Sequence, residues 1–526
     1  MATKHFVNDP TLLVNSALHA LTLTNPSVAL DVENKIVYRR PGHASQVSII
    51  SGGGSGHEPS FGAFVGEGLL AASVAGTIFA SPSAEQIRRC VMSRVDTEKG
   101  ILITVMNYTG DVLNFGMAVE KAKAAGLKVE MLVVGDDVGV GREKAGKVGR
   151  RGIAGTVLVH KITGALAATG ASLEDVYKVG KLTADNIVSV GASLDHVHVP
   201  GRAPQIQIRK KAWLMKRLRL EWEFIMNLLL DSKDKDRAFL NVNSNEIVLL
   251  VNNLGGVSVL ELGGITAEVV GQLEKSYNIK PVRILAGTYM TSLNGLGFSI
   301  SLLNVVNTNI GGPSMLQLLD APTEATGWAA PIRKETWEAK STSTRTDSAG
   351  VEEDIKPSGL KSDPEISKIA LTAGLQRLIA AEPDVTRFDT VVGDGDCGIG
   401  LKRGAECDCP RENKSVGQAT PELWAKALQS ASEALSKYTP AKPGDRTLVD
   451  ALHPFVETLN KTGDVKKAAE ASRKGAEGTK GMKASLGRTV YIGGTGFEQV
   501  PDPGAWGLSE FFLGLAGLGD SDYELV

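Results

Sequence analysis

Three aspartates carry the strongest chemical signal in the chain. Asp389, Asp394 and Asp396 stand in the run Asp389-Thr390-Val391-Val392-Gly393-Asp394-Gly395-Asp396-Cys397-Gly398. Carboxylates this close repel one another unless a cation neutralises them, and hard oxygen ligands suit Mg²⁺ or Ca²⁺. An EF-hand loop needs a longer ligand pattern with a glutamate at its twelfth position, which is missing here. Mg²⁺ held by carboxylates ordinarily shares its shell with nucleotide phosphates, so the run predicts a phosphotransferase site. The bland alternative is a solvated acidic turn. Lys442-Pro443-Gly444-Asp445-Arg446-Thr447 and Asp502-Pro503-Gly504 are turns that fit the same site, or are plain surface loops.

Two motifs in the N-terminal half suit a small polar substrate. The first is Ser51-Gly52-Gly53-Gly54-Ser55-Gly56-His57-Glu58-Pro59, directly after the apolar run VSII. It reads as a loop at the C-terminal end of a strand, the edge where parallel sheets bind ligands. Glycines let a substrate approach backbone N–H groups, and His57 offers an acid, a base or a hydrogen-bond donor. The second is Asn107-Tyr108-Thr109-Gly110-Asp111, after the run ILITV. Asp111 could accept a proton from a substrate hydroxyl in the same cleft as His57. Its alternative role is a helix N-cap.

Elements must hold these loops in place. The 526 residues predict two or three domains. The N-terminal part alternates apolar runs with helical stretches: ILITV, then NFGMAVEKAKAAG, then VEMLVV. That alternation predicts an α/β domain with a largely parallel sheet. EIVLLVNNLGG, a helix over about 258–276 and PVRILAGTYMT predict a second α/β lobe. The polar, Ser/Thr-rich stretch around 336–364 can bury little and reads as a linker. The expected domains are therefore 1–335 and 365–526. The C-terminal one shows helical apolar spacing in ISKIALTAGLQRLIAAE, ELWAKALQSASEALSKY and TLVDALHPFVETLNK, which predicts an all-α bundle or barrel.

Composition narrows the function class. A net charge of -2 and 5% aromatics argue against nucleic-acid binding. No apolar stretch reaches the ~18 residues of a membrane helix, and MATKHFVNDP has no secretory core, so a cytoplasmic protein is expected. Cys90, Cys397, Cys407 and Cys409 are too sparse for a disulfide scaffold and read as ordinary thiols.

SGGGSGHEP, NYTGD, GDGDCG, PAKPGDRTLVDAL and VPDPGAWG occur in an order that resembles the dihydroxyacetone (glycerone) kinase family, single-chain ATP-dependent type. The resemblance covers nearly the whole chain. It implies ATP-dependent phosphorylation of dihydroxyacetone, with glyceraldehyde as a further acceptor, in a homodimer. By that likeness Gly54, Ser55, Gly56, His57 and Asp111 contact the triose, and His57 and Asp111 assist proton removal. Asp389, Asp394 and Asp396 hold Mg²⁺. Gly398, Ile399, Gly400, Leu401, Arg446, Thr447, Asp502, Pro503 and Gly504 line the ATP site. Some relatives cleave FAD into a cyclic flavin nucleotide with the same domain, which is a second activity to weigh.

The chain departs from the family in three places. The family binds its substrate covalently through a histidine in a motif like Gly-Met-Gly-Ile-His-Asn-Glu-Pro, expected between about 205 and 235. No histidine occurs here between His198 and His453. Leu220 to Leu228 reads LEWEFIMNL. One permitted codon series for it is TTG GAA TGG GAA TTC ATA ATG AAC CTN. Skipping its first two bases gives GGA ATG GGA ATT CAT AAT GAA CCT, which encodes the missing motif. A reading-frame error in the gene sequence is inferred, and a chain impaired as written is the alternative to an active kinase. Second, several dozen residues with a Gly-Gly-Thr-Ser-Gly-like nucleotide loop are missing after Glu406. Third, Met106 stands where many members carry a substrate-contacting lysine.

Overall fold

The computed structural model describes the chain apart from residues 1–4, 8, 43, 140, 146–148, 195–198, 200–225, 243–245, 331, 340–363, 393–394, 408–420, 437–438, 484–498 and 519–526. It falls into two compact units, Met1–Ser343 and Thr344–Val526.

The first unit holds two sheets. The larger joins β1 (Val28–Asp31), β2 (Ile36–Arg39), β3 (Ser48–Ser55), β4 (Ala72–Ile78), β5 (Ile101–Met106) and β6 (Val129–Val134) in the order β1-β2-β4-β3-β5-β6. Pairing is parallel from β4 through β3 and β5 to β6, and antiparallel at the β1–β2–β4 side. The central strands are buried on both faces, which explains their continuous apolar runs. Successive residues serve different cores, as the two-residue period of a strand requires. Ile49 and Leu102 pack with the helix Thr156–Ala168, while Ile50, Ile101 and Ile103 pack with Phe115 and with Cys90 of the helix Ala84–Ser93.

The smaller sheet orders β7 (Ile187–Ser193), β10 (Gly297–Asn304), β8 (Ile247–Asn253) and β9 (Arg283–Gly287). Here the predicted α/β lobe exists, with the helix Val259–Tyr277 over the sheet, yet only β8 and β9 are parallel. β10 sits between β7 and β8 and runs against both. Strand spacing along the chain does not reveal that insertion.

The helix Thr156–Ala168 is buried along nearly its whole length. Its Gly164 is required by close approach: a Cβ there would stand 2.2 Å from the carbonyl oxygen of Leu69. The same helix buries His160, whose two ring nitrogens have no hydrogen-bond partner among the described residues, and Lys161, whose Nζ donates to the Leu318 carbonyl at 2.7 Å. A short helix, Lys334–Ala339, opens the stretch read as linker, with Trp337 under the Arg283 guanidinium.

The second unit is helical throughout its described residues. It comprises Pro364–Ala380, Glu382–Val392, Cys397–Cys407, Pro421–Leu435, Val449–Thr462, Val465–Gly478 and Pro503–Leu515. Ala425, Phe455, Leu459, Ala468 and Leu513 form its core, with Phe455 and Phe512 stacked at 3.7 Å between centroids. Glu510 is buried beside two cations: Arg377 Nε donates to one carboxylate oxygen at 2.6 Å and Arg473 Nη2 to the other at 2.5 Å.

Candidate active site

The run Ser51–Ser55, expected as a loop, is the second half of β3, and it is glycine-rich because its neighbours leave no room for side chains. A Cβ on Gly52 would lie 2.2 Å from the Val74 carbonyl, and one on Gly54 2.7 Å from the Ala80 nitrogen. The serines stitch the strand in place. Ser51 Oγ donates to the Thr104 carbonyl at 2.8 Å and Ser55 Oγ to the Gly76 carbonyl at 2.9 Å. The following residues are tied to the other lobe of the unit. The Leu293 N–H donates to the Gly56 carbonyl at 2.7 Å, and the Thr291 N–H to the His57 carbonyl at 3.1 Å. His57 Nδ1 lies 2.8 Å from the Thr291 carbonyl oxygen. A carbonyl only accepts, so Nδ1 carries a proton, and Nε2 of the neutral ring is an acceptor.

Asp111 sits in the first turn of the helix Thr109–Ala124, at the C-terminal end of β5. The N-cap position belongs to Tyr108, so Asp111 is not the cap. Its carboxylate is buried, and Oδ1 has no hydrogen-bond partner among the described residues. Burial pushes its pKa above the usual carboxylate range, and the Ser81 hydrogen bond and nearby His57 offset part of that rise. Oδ2 lies 3.7 Å from where a Cβ on Gly53 would stand. The two adjacent parallel strands thus deliver His57 and Asp111 to one place.

A cleft of about 420 Å³ opens between the two sheets, lined by His57, Met106, Tyr108, Arg151, Asn252 and Met290 among others. Gly54 and Ser55 border a different cavity, about 460 Å³ and largely apolar, which Leu18 and Leu21 of the helix Pro10–Thr24 help to enclose. The loop therefore separates two hollows, and of the predicted triose contacts His57 is the one lining the cleft.

Tyr108, within the motif NYTGD but given no role there, lines the cleft, as does Arg151, which motif reading missed. Arg151 belongs to a loop pressed against the end of β6. Asp136 accepts from the N–H groups of Ile153 at 2.7 Å and Gly155 at 2.8 Å, while Asp137 Oδ2 accepts from Arg151 Nε at 2.5 Å. The visible signal is the pair of doublets, Asp136-Asp137 and Arg150-Arg151, each bordered by glycine.

In the second unit the predicted nucleotide residues converge from three elements. Asp389 Oδ2 accepts from the Cys397 N–H at 3.0 Å and so caps the helix Cys397–Cys407. Asp396 is exposed at that helix start, and its carbonyl accepts from the Gly400 N–H. Burial raises the Cys397 thiol to about 11, with Asp389, Asp502 and Asp396 adding to the rise. Asp502 caps the helix Pro503–Leu515 through the Ala505 N–H at 2.8 Å. Burial raises its pKa to about 6, and Arg446 pulls it down in part. Arg446 is itself buried at a φ of 59° and donates to the Val500 carbonyl at 2.8 Å. Asp450 closes the turn before it, accepting from the N–H groups of Gly444 at 2.5 Å and Thr447 at 2.8 Å.

The other predicted positions differ in access. Ile399 is exposed and a Cβ on Gly400 would meet open space. Gly398 is buried, with Thr386 Oγ1 2.3 Å from a Cβ position, and Leu401 packs against Gly507. Gly504 lies beside Asp502 Oδ1, 3.3 Å from a Cβ position. Asp394 lies outside the described residues, as do Leu220–Ile225, where the shifted-frame histidine motif begins, and 408–420 after the Glu406 gap. Among the described residues no three His, Cys, Asp or Glu side chains form a metal-binding group.

Comparison with known proteins places this geometry. The Dak1 domain matches residues 19–327 and the DAK2 domain residues 409–517, so the aspartate run falls between the matched regions. Dihydroxyacetone kinase of Pichia angusta is 38% identical over 603 aligned residues, covering 98% of both chains. Dihydroxyacetone kinase 1 of Saccharomyces cerevisiae is 38% identical, covering 98% of this chain and 99% of the relative. Triokinase/FMN cyclase of Homo sapiens is 32% identical over 96% of this chain and 97% of its own. Among solved structures, the native dihydroxyacetone kinase of C. freundii superposes with a TM-score of 0.60 at 27% identity, covering 98% of this chain and 100% of that one. The same enzyme in complex with AMP-PNP and Mg2+ gives the same values. With the fold, the glycine–histidine loop and near-complete coverage all in agreement, the chain belongs to the dihydroxyacetone kinase family.

Proposed function

We propose that the protein transfers the γ-phosphoryl group of ATP to dihydroxyacetone, giving dihydroxyacetone phosphate, with glyceraldehyde as a second acceptor. The observation that carries this is the 38% identity to yeast dihydroxyacetone kinases across 98% of the chain. Residues 1–335 bind the triose and residues 365–526 bind ATP. His57 takes the proton of the attacking hydroxyl at Nε2, and Nδ1 fixes the ring on the Thr291 carbonyl. Asp111 supports that transfer as a buried carboxylate with one oxygen that no described residue fills. Gly54, Ser55 and Gly56 shape the loop around the substrate.

Asp389, Asp394 and Asp396 hold Mg²⁺. The donor chemistry is that of a hard-cation site: Asp389 and the exposed Asp396 stand at the start of the helix Cys397–Cys407, and their carboxylate oxygens, with Asp394, would suit a divalent cation. Mg²⁺ held there would supply positive charge that offsets the charge on the phosphates. Gly398 to Leu401, Arg446, Thr447 and Asp502 to Gly504 line the nucleotide. The protein works as a cytoplasmic homodimer without nucleic-acid or membrane partners; among the described residues no helix is long and apolar enough to cross a membrane.

A coupled assay of the full chain with dihydroxyacetone, ATP and Mg²⁺ tests the reading, and absence of turnover with every triose overturns it for the chain as written. A parallel chain carrying Gly-Met-Gly-Ile-His-Asn-Glu-Pro from the shifted frame separates sequence error from true loss. Turnover in that chain alone assigns the defect to 220–228. The relatives named triokinase/FMN cyclase give a second reading, formation of a cyclic flavin nucleotide. Incubation with FAD and Mn²⁺ decides it.

A further inference from the structure

Of the side chains lining the cleft, Arg151 is the one lysine, arginine, aspartate or glutamate among the described residues. It is held unusually firmly for a surface cation. Asp137 Oδ2 takes its Nε at 2.5 Å, and Asp137 Oδ1 is occupied by the Gly139 N–H at 2.8 Å. The backbone closes the same pair, since the Asp137 N–H donates to the Arg151 carbonyl at 3.1 Å. The Asp137 side chain is 1% exposed and that of Arg151 58%. The acid is thus an internal anchor and the guanidinium stands in the open cleft. Nη1 and Nη2 make no hydrogen bond to any described residue. The preceding Arg150 is turned to other work: its guanidinium lies 4.1 Å from the Phe239 ring and it donates toward the Asp136 and Ile187 carbonyls.

A guanidinium anchored at Nε keeps a planar pair of Nη donors, the geometry that matches phosphate oxygens. Dihydroxyacetone is uncharged and offers such a group only neutral hydrogen-bond acceptors. Its phosphate ester carries about −1.5 to −2 charges at neutral pH. We propose that Arg151 binds the phosphate group of the phosphorylated triose in the cleft, and so sets the affinity and release of product. The inference rests on the kinase reading of the same cleft.

Calorimetric titration of the full chain with dihydroxyacetone phosphate, without ATP, tests it independently of turnover. Arg151→Gln is expected to weaken that binding roughly 10- to 100-fold, the loss typical of a charge-assisted phosphate contact. Binding of dihydroxyacetone stays within about twofold, and Arg151→Lys recovers part of the product affinity. Product affinity within about twofold of the parent in Arg151→Gln overturns the proposal. So does an equal loss for dihydroxyacetone and its phosphate, which marks a structural role, and so does a parent chain that binds no dihydroxyacetone phosphate. Arg151-dependent product binding in a chain that never turns over supports the site and overturns the kinase reading alone.

Discussion

His57 Nδ1 stands 2.8 Å from the carbonyl oxygen of Thr291, 234 residues further along the chain. The bond selects one tautomer and aims the other nitrogen. His57→Asn can still donate toward Thr291 but has no group at the Nε2 position. It is expected to fold with a melting temperature near that of the parent and to lose about 10²- to 10⁴-fold in kcat, the usual worth of a positioned acid or base. Steady-state kinetics beside a thermal melt checks both halves.

Asp111 carries the opposite balance of stability and activity. Its folded pKa is raised above the unfolded value by burial, so between the two values the folded state holds more of the proton than the unfolded state does. Stability attributable to Asp111 is therefore lost as pH rises above about 4 and through its folded pKa. Asp111→Asn should be at least as stable as the parent at pH 7, lose that advantage in acid, and fall roughly 10²-fold or more in kcat. Urea denaturation at pH 7 and pH 4 gives the comparison.

His160 predicts a sign reversed from Asp111. Burial lowers its pKa to about 3, while the unfolded residue titrates near 6.5. The unfolded state takes up the proton first, so stability falls as pH drops from about 6.5 toward 3. At pH 5 this residue costs about 2 kcal/mol relative to pH 7. His160→Leu should flatten that part of the acid limb, read as a smaller change in the urea midpoint between the two pH values. An unchanged slope would mean that the ring finds a proton partner.

Glu510 joins Arg377 and Arg473 inside the helical unit, and the three charges are not separable. Glu510→Ala leaves two guanidinium groups poorly compensated in a mostly buried site. The expected loss is about 3–5 kcal/mol from the helical unit. Replacing the exposed Glu457, which pairs with Lys461 at the surface, should cost under about 1 kcal/mol. Denaturation followed by helix signal ranks the two variants.

The sequence makes a central strand legible when its neighbours bury both faces. ILITV and VEMLVV reappear as β5 and β6, but the run read as a loop from Ser51 is strand as far as Ser55, because the glycines let β3 continue against β4, and only Gly56–Pro59 lie beyond the strand end. The C-terminal helices follow their apolar spacing, including Val449–Thr462 with Pro454 inside it. Less legible were β1 and β2, four residues each, too short to show a period. The antiparallel insertion of β10 was hidden because order along the chain does not specify order in a sheet. Arg151 escaped because its meaning lies in Asp137, an acid whose burial only the folded loop creates. The Asp111 carboxylate was noticed from NYTGD, but the N-cap alternative could be dropped only once Tyr108 was seen at that position.

The two-faced burial of β3 bears on how this site can vary and move. Ile49 and Ile50 lie in different cores, and the strand is flanked by β4 and β5. Its backbone amides have no route to solvent short of opening both cores, so their hydrogen exchange should track global unfolding of this unit. The loop they lead into inherits that rigidity at its root. Changes in substrate preference during evolution would then be concentrated on the cleft's other wall, in the residues around Met106, Arg151 and Met290, while the glycine loop stays fixed.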